Sequence, residues 1–309
     1  MDNAPENALA VLGPTASGKT ALGVRLTRAV NGEVLSADSR QVYVGLDLCS
    51  GKDLHEYREG GAPVPYHLID MVPIDTEFSV FHYQQAFYRC FEEVRERGRV
   101  PVVVGGTGLY LDAALRGYRM VEAPENPPLR RELAAMPMAA LADRLRALKP
   151  ALHNTTDLQD RARLMRAIEI AEFAREHTPP PAPEIRPLIF GAAWPRPLLR
   201  RRIAARLRAR LDAGMIEEVE RLHEGGCSWE RLENLGLECR FIAAYLQGKI
   251  RNRNDLFQKL CAAIVQFARR QETWFRRMER QGMQIHWIPQ ANPEKALDII
   301  RRRAAGGIL

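Results

Sequence analysis

A chain of 309 residues with 46% apolar and 27% charged residues can bury a sizeable core, as one large domain or as two to three modules. No apolar run reaches membrane-span length and "MDNAPEN" (1–7) has no signal-peptide character, so no membrane association is read and a cytoplasmic protein is the expectation. The formal charge is +7, carried mostly by arginine, which suits a polyphosphate partner such as RNA and equally a compositional habit of the source genome.

Residues 8–12, "ALAVL", predict a strand, Lys19 to about Val30 a helix, and 33–37, "EVLSA", a second strand. "YHLID" (66–70) reads as a third. Ser79 to Arg97 predicts a helix with Val80, Tyr83, Phe87, Phe91 and Val94 on one stripe and Gly98 at its end. Val100 to Val104 is a short β-branched run suited to a strand buried on both faces, and Gly105-Gly106-Thr107-Gly108 follows as a turn. Strands alternating with helices imply a parallel sheet covered on both faces. "VEAPENPP" (121–128) breaks this pattern, and helical sequence without strands follows, including a capping box of Thr156 and Gln159 for a helix to about Ala174. After a second break, "HTPPPAPEIRP" (177–187), "LIFGAAW" (188–194) reads as a strand rejoining the sheet. One long helix is expected from about Pro197 to Leu222. The C-terminal third is expected to be helical too, with Leu256, Leu260, Ile264, Phe267, Trp274 and Phe275 on its apolar stripe.

The five cysteines are scattered without a Cys-x-x-Cys pair, which argues against a disulfide framework. His223, Cys227 and Cys239 lack the spacing of a structural zinc site, and buried free thiols are the better reading.

"GPTASGKT" (13–20) matches G-x-x-x-x-G-K-[ST] between a strand and a helix. In such a loop successive backbone N–H groups point at phosphate oxygens, Lys19 adds a charge and Thr20 offers a hydroxyl to magnesium. Gly13, Pro14, Thr15, Ala16, Ser17, Gly18, Lys19 and Thr20 are thus candidate ligands of a diphosphate or longer group. The fold class that follows is α/β, a P-loop NTPase-like parallel sheet with helices on both faces. Residues 1–118 and 184–227 form its core, 119–183 a helical insertion, and 228–309 a helical C-terminal extension packed on the core.

Asp38 stands just past the second strand, where open parallel sheets bind ligands. It can take a proton from an acceptor or position magnesium, or it can simply cap a following helix. Ser39 and Gln41 are placed to hydrogen-bond a base or sugar. Two enzyme readings share these features: an ATP-dependent small-molecule kinase, and a transferase whose donor is a diphosphate ester. Nucleotide chemistry usually places a magnesium-holding carboxylate after a core strand. Here Thr107 follows the VPVVV strand, which suits gripping a neutral polar edge and tilts the choice to the transferase. A third reading is a basic RNA-binding protein with a relic loop.

Taken together, "GPTASGKT", "SADSRQVYVGLD", "YHLID", "VVVGGTGLY", "RLMRAIEI", "RLRARLDAGMIEEV" and "FARRQETWFR" give a chain that resembles the bacterial tRNA dimethylallyltransferases, with motifs in family order over about 10–280. The resemblance implies transfer of a dimethylallyl group from dimethylallyl diphosphate to N6 of the adenosine 3′ of the tRNA anticodon, with diphosphate released. It implies donor diphosphate on loop 13–20, Mg²⁺ at Thr20, Asp38 as general base, Thr107 as a hydroxyl at the flipped adenosine and Arg206 neutralising the diphosphate. The Gly-Gly-Thr-Gly glycines are expected to let the flipped base come close. The family pattern carries tRNA contacts onto Ser39, Arg40, Gln41, Arg130, Arg163, Arg166, Arg269, Arg270, Gln271, Thr273 and Arg276, and a monomer is expected. Trp274 and Phe275 are expected in the core. The chain departs from the family pattern at "LCSGKD" (48–53), where "IGTAKP" is usual, and at "GLECRFIAAYL" (236–246), which is two residues longer.

Overall fold

The computed structural model describes residues 5–149 and 159–305, which form two compact units, Met1–Gly117 with Pro183–Leu309, and Tyr118–Ala182. Thr156 of the expected capping box lies outside the described residues.

The larger unit is built on a six-stranded sheet of β1 (Ala8–Leu12), β2 (Gly32–Ala37), β3 (Tyr66–His67), β4 (Val100–Gly105), β5 (Pro187–Ala193) and β6 (Ile285–Pro289), in the order β3-β2-β4-β1-β5-β6. Every pairing is parallel. The first-made strand is therefore central, flanked by β4 and β5. Side-chain alternation sorts the strand residues onto two faces. Ala8, Ala10, Leu12, Leu35, Ala37, Val103 and Ile189 pack against α2 (Val80–Glu96), α3 (Gly108–Leu115) and α11 (Arg253–Arg280). Leu9, Val11, Val34, Val102, Val104, Leu188 and Phe190 pack against α1 (Lys19–Ala29) and α12 (Pro293–Ala305). With both faces covered, the strands read as continuous apolar runs.

A third core cluster lies among α7 (Arg196–Asp212), α8 (Met215–Glu224), α9 (Trp229–Asn234), α10 (Leu237–Leu246) and α11, with Val42, Tyr43, Leu46 and Cys49 inserted from the segment after β2. The smaller unit packs α4 (Pro127–Ala135), α5 (Met138–Leu148) and α6 (Arg161–Glu176) around Leu133, Leu141, Leu145, Leu164 and Ile168.

Four expectations change. The helix read from Pro197 to Leu222 is two, because Gly214 takes φ 98°, a left-handed turn that stops one helix and starts the next. "YHLID" pairs only at Tyr66 and His67, since Leu68 (φ 66°) and Asp70 (φ 54°) leave the extended region. The C-terminal third is not wholly helical, because β6 joins the sheet beside β5. Phe267 is exposed, and the buried seam of α11 runs Leu256, Leu260, Ile264, Ala268, Gln271, Phe275, Met278. Among the described residues no helix is long and apolar enough to cross a membrane. His223 spends its Nδ1 on the Cys227 carbonyl (2.9 Å), and all five cysteines are free.

Candidate active site

Strand register creates the site. Leu12 and Ala37 both lie beside Gly105, so β1, β4 and β2 end level with one another. Three turns consequently emerge side by side at the carboxyl edge of the sheet: the loop 13–20, the turn 105–108 and the turn beginning at Asp38. This is where open parallel sheets bind ligands.

The loop 13–20 runs into α1 with Gly18 in the left-handed region (φ 80°) and Thr20 in the first helical turn. Burial and the neighbouring Arg206 bring the Lys19 ammonium down to about 8, against the opposing pull of Asp38, Asp53 and Glu56. The loop is braced from outside. Trp194 Nε1 donates to the Ser17 carbonyl (2.8 Å), and Arg202 Nε donates to that of Ala16 (2.8 Å) while lying over the Trp194 ring. Gln271 supplies a third brace. Its Oε1 accepts from Thr15 N–H (2.8 Å) and its Nε2 donates to the Gly106 carbonyl (2.8 Å), tying the loop to the turn after β4. Expected among the tRNA contacts, Gln271 is in fact buried with both ends of its amide engaged inside the protein.

The glycines of the 105–108 turn have close protein neighbours. A Cβ on Gly105 would meet Ala37 O at 2.2 Å, one on Gly106 Gln271 Nε2 at 2.6 Å, and one on Gly108 the Trp274 ring at 2.4 Å. Thr107 is the N-cap residue of α3, yet its side chain makes no capping bond. Its Oγ1 instead accepts from Ser39 N–H (3.0 Å) and lies 3.4 Å from Ser39 Oγ. Thr107 thereby fastens the turn that carries Asp38. No helix follows Asp38, so it is not a helix cap. Its Oδ1 accepts from Arg40 N–H (2.9 Å) in a two-residue turn. The other carboxylate oxygen points to no partner that this turn provides.

Arg206, on α7, reaches the loop: Nη1 stands 3.4 Å from Thr15 Oγ1 and Nη2 pairs with Asp53. Arg210, one turn on, places Nη2 at 3.0 and 3.1 Å from the two oxygens of Asp53. Burial alone would push the Asp53 carboxyl upward, but Arg206 and Arg210 outweigh it and hold it below the usual carboxylate range. Between the loop and α7 lies a cleft lined by Thr15, Ala16, Arg206, Arg210 and Glu238 on its polar side. Ile203, Leu207, Met215 and Ile264 form its apolar wall. Asp53 is a site residue that sequence reasoning missed; its only signal was the departure at "LCSGKD".

The remaining candidates divide. Arg269, Arg270, Thr273 and Arg276 are exposed on α11, and Arg163 is exposed on α6. Arg130 and Arg166 both pair with the buried carboxylate of Glu169, and Arg166 also donates to the Ala123 carbonyl (2.6 Å). Their charge holds α4 and α6 together, while more than a third of each side chain stays exposed. Gln41 is likewise turned inward, accepting from Ser36 Oγ (2.8 Å) and donating to the Gly51 carbonyl (3.0 Å). Ser39 and Arg40 are half-buried beside Thr107 and Asp38. Phe275 is core as expected, and Trp274 packs on Gly108.

Among the described residues no group of three His, Cys, Asp or Glu side chains can hold a metal alone. The oxygens at hand, Thr20 hydroxyl and Asp38 carboxylate, suit a hard cation that is shared with a substrate's phosphates, as magnesium commonly is.

Residues 41–278 match the model of a family described as IPP transferase. The chain is 58% identical to a tRNA dimethylallyltransferase of Syntrophotalea carbinolica over 92% of this chain and 95% of that protein. It is 56% identical to one of Geotalea uraniireducens over 96% and 98%. Among solved structures it is similar to a tRNA isopentenylpyrophosphate transferase of Bacillus halodurans, at 30% identity and TM-score 0.69 over 98% and 97% of the two chains. A eukaryotic dimethylallyltransferase solved acting on tRNA shares the fold, with TM-score 0.75 at 20% identity over 92% of this chain and 74% of that one.

Proposed function

The chain belongs to the IPP transferase family and transfers a dimethylallyl group to tRNA, and from that premise we propose which of its residues do so, on what donor and at which atom. The donor is dimethylallyl diphosphate and the acceptor is N6 of the adenosine 3′ of the anticodon. The observation that carries this reading is the register-aligned edge, where a phosphate loop, a free carboxylate oxygen on Asp38 and the Thr107 turn stand side by side.

The donor has an anionic head, and the loop edge offers it N–H groups and cations. Backbone N–H groups of 13–20, Lys19 and Arg206 receive the diphosphate. Magnesium, when bound at Thr20, neutralises charge on the leaving diphosphate. As N6 attacks the allylic carbon, the N–C bond forms, the C–O bond to diphosphate breaks, and the N6 proton passes to the uncommitted oxygen of Asp38. An exocyclic amine is a weak nucleophile, so removing that proton in the transition state accelerates transfer. Thr107 acts on this step by fixing the Asp38 turn through Ser39. A stacked base hides N6, so the adenosine enters flipped. Exposed Arg163, Arg269, Arg270 and Arg276 hold the RNA backbone without reading its sequence. The kinase reading rested on the loop and Asp38 alone; the family match speaks for the transferase.

The test is single-turnover transfer of labelled dimethylallyl diphosphate to unmodified tRNA. Asp38→Asn keeps the acceptor for Arg40 N–H and should slow transfer by ~10²–10⁴-fold with tRNA binding intact. An unchanged rate removes Asp38 from the base role, and wild-type protein that labels no competent tRNA refutes the reading.

A further inference from the structure

The segment 47–53, which contains the departure from the family pattern at 48–53, is held at several independent points. Glu218, buried on α8, accepts from the backbone N–H groups of Asp47 (3.1 Å), Leu48 (2.7 Å) and Cys49 (2.9 Å). Lys52 is buried with its ammonium between Asp47 (2.5 Å) and Asp70. Gln41 holds the Gly51 carbonyl at 3.0 Å. Gly51 (φ 67°) lies flat against Arg210, so close that a Cβ there would meet its guanidinium at 2.0 Å. Such a platform is far more than a surface turn requires. Its last residue, Asp53, places both carboxylate oxygens on α7.

Arg206 and Arg210 stand four apart and therefore project from one face of α7 toward the same space. Two guanidinium groups so placed repel each other. Burial and Arg206 together depress Arg210, and Asp53, with a smaller pull from Glu238, opposes them. With Nη2 of Arg206 tied to Asp53, its Nη1 faces Thr15 in the phosphate loop. We propose that Asp53 is a positioning residue for the transfer: it fixes one edge of the Arg206 guanidinium so that the other edge is presented to the donor's diphosphate. The platform 47–53 exists to hold that carboxylate still. This inference rests on the diphosphate site proposed above and deepens it.

The test reads coupling between Asp53 and Arg206 in the binding of inorganic diphosphate with Mg²⁺, followed by calorimetry, and so needs no transfer activity. The full-length protein is compared with Arg206→Gln, Asp53→Ala and the double variant. If Asp53 aims Arg206, Arg206→Gln weakens diphosphate binding at least tenfold with Asp53 present and less than threefold in the Asp53→Ala background. Trp194→Phe, which loses only the bond to the Ser17 carbonyl on the far side of the loop, should cost the same in both backgrounds, which separates aiming of one arginine from general damage to the loop. Should Asp53→Ala fail to fold, Asp53→Asn keeps the shape and one acceptor, and should show coupling intermediate between that of the wild-type carboxylate and none. Equal losses from Arg206→Gln with and without Asp53 overturn the proposal. So does a wild-type protein that binds no diphosphate. Failure of the wild-type protein to label tRNA while the coupling persists would refute the transferase reading and leave Asp53 in its role.

Discussion

Replacing Gln271 by leucine removes a side chain that ties the phosphate loop to the turn after β4. The volume is nearly conserved, so the cost is mainly that of the groups left behind. Thr15 N–H loses its acceptor and the Gly106 carbonyl its donor, both at 2.8 Å. A buried polar group left unpaired costs about 1–3 kcal/mol; the Gly106 bond is fully buried and the Thr15 bond partly so, which gives about 2–4 kcal/mol for Gln271→Leu. Denaturant unfolding followed by tryptophan fluorescence measures that loss. The same change frees the loop to depart from its phosphate-binding geometry, so KM for the donor should rise more than kcat falls. Gln271→Glu provides the sharper comparison. Its carboxylate can still accept from Thr15 N–H, but it offers no donor to Gly106 and adds a negative charge beside the expected diphosphate. Glu should therefore impair donor binding more than Leu does. A leucine variant with wild-type unfolding midpoint and wild-type donor KM would refute the bridging role outright.

Lys19 stands at about 8 in the free protein and a bound diphosphate raises it, so donor binding at pH 9 should take up a proton that binding at pH 6.5 does not. Titrating dimethylallyl diphosphate without tRNA, in buffers of different ionisation enthalpy, measures the uptake; its absence at pH 9, or its persistence in Lys19→Met, contradicts the assignment. Thr107→Ala frees Ser39 and the Asp38 turn, and should lower the single-turnover rate with little change in donor KM, while Thr107→Ser retains the rate. A shift confined to donor KM would instead place Thr107 at the diphosphate. Gly105→Ala drives a methyl into the backbone oxygen of Ala37 at 2.2 Å, and should destabilise by ~1–3 kcal/mol or more while displacing Asp38. Wild-type stability in that variant would mean that β2 and β4 part more easily than their register implies.

The central strands, the phosphate loop, Asp38 and Thr107 were legible because each is a local signal: an apolar run, a glycine spacing, a polar residue at a strand end. What escaped was set by contacts distant in sequence. "DAGM" (212–215) sits between two amphipathic runs that continue in phase, so only the backbone angle at Gly214 reveals the break. β6 is five residues long and exists because β5 offers it an edge. Gln271 did carry a trace. Along α11, Leu260, Ile264, Ala268, Phe275 and Met278 recur at spacings of three and four, and Gln271 is the one polar member of that buried seam. A polar residue in such a place needs partners for both ends of its amide. Asp53 left a weaker trace. "GKD" looks like an exposed turn, and only α7, folded across it, discloses which arginines it meets.

The brace from Gln271 to Thr15 also concerns the order in which the protein is made. The phosphate loop leaves the ribosome more than two hundred residues before the helix that completes it. An N-terminal fragment carries the whole glycine motif but not the bridge that fixes its amides, and it lacks Arg206 and the final strand as well. Donor-binding ability should therefore appear late and all at once during synthesis, and a truncated chain ending before α11 would be expected to leave the cell's allylic diphosphate untouched.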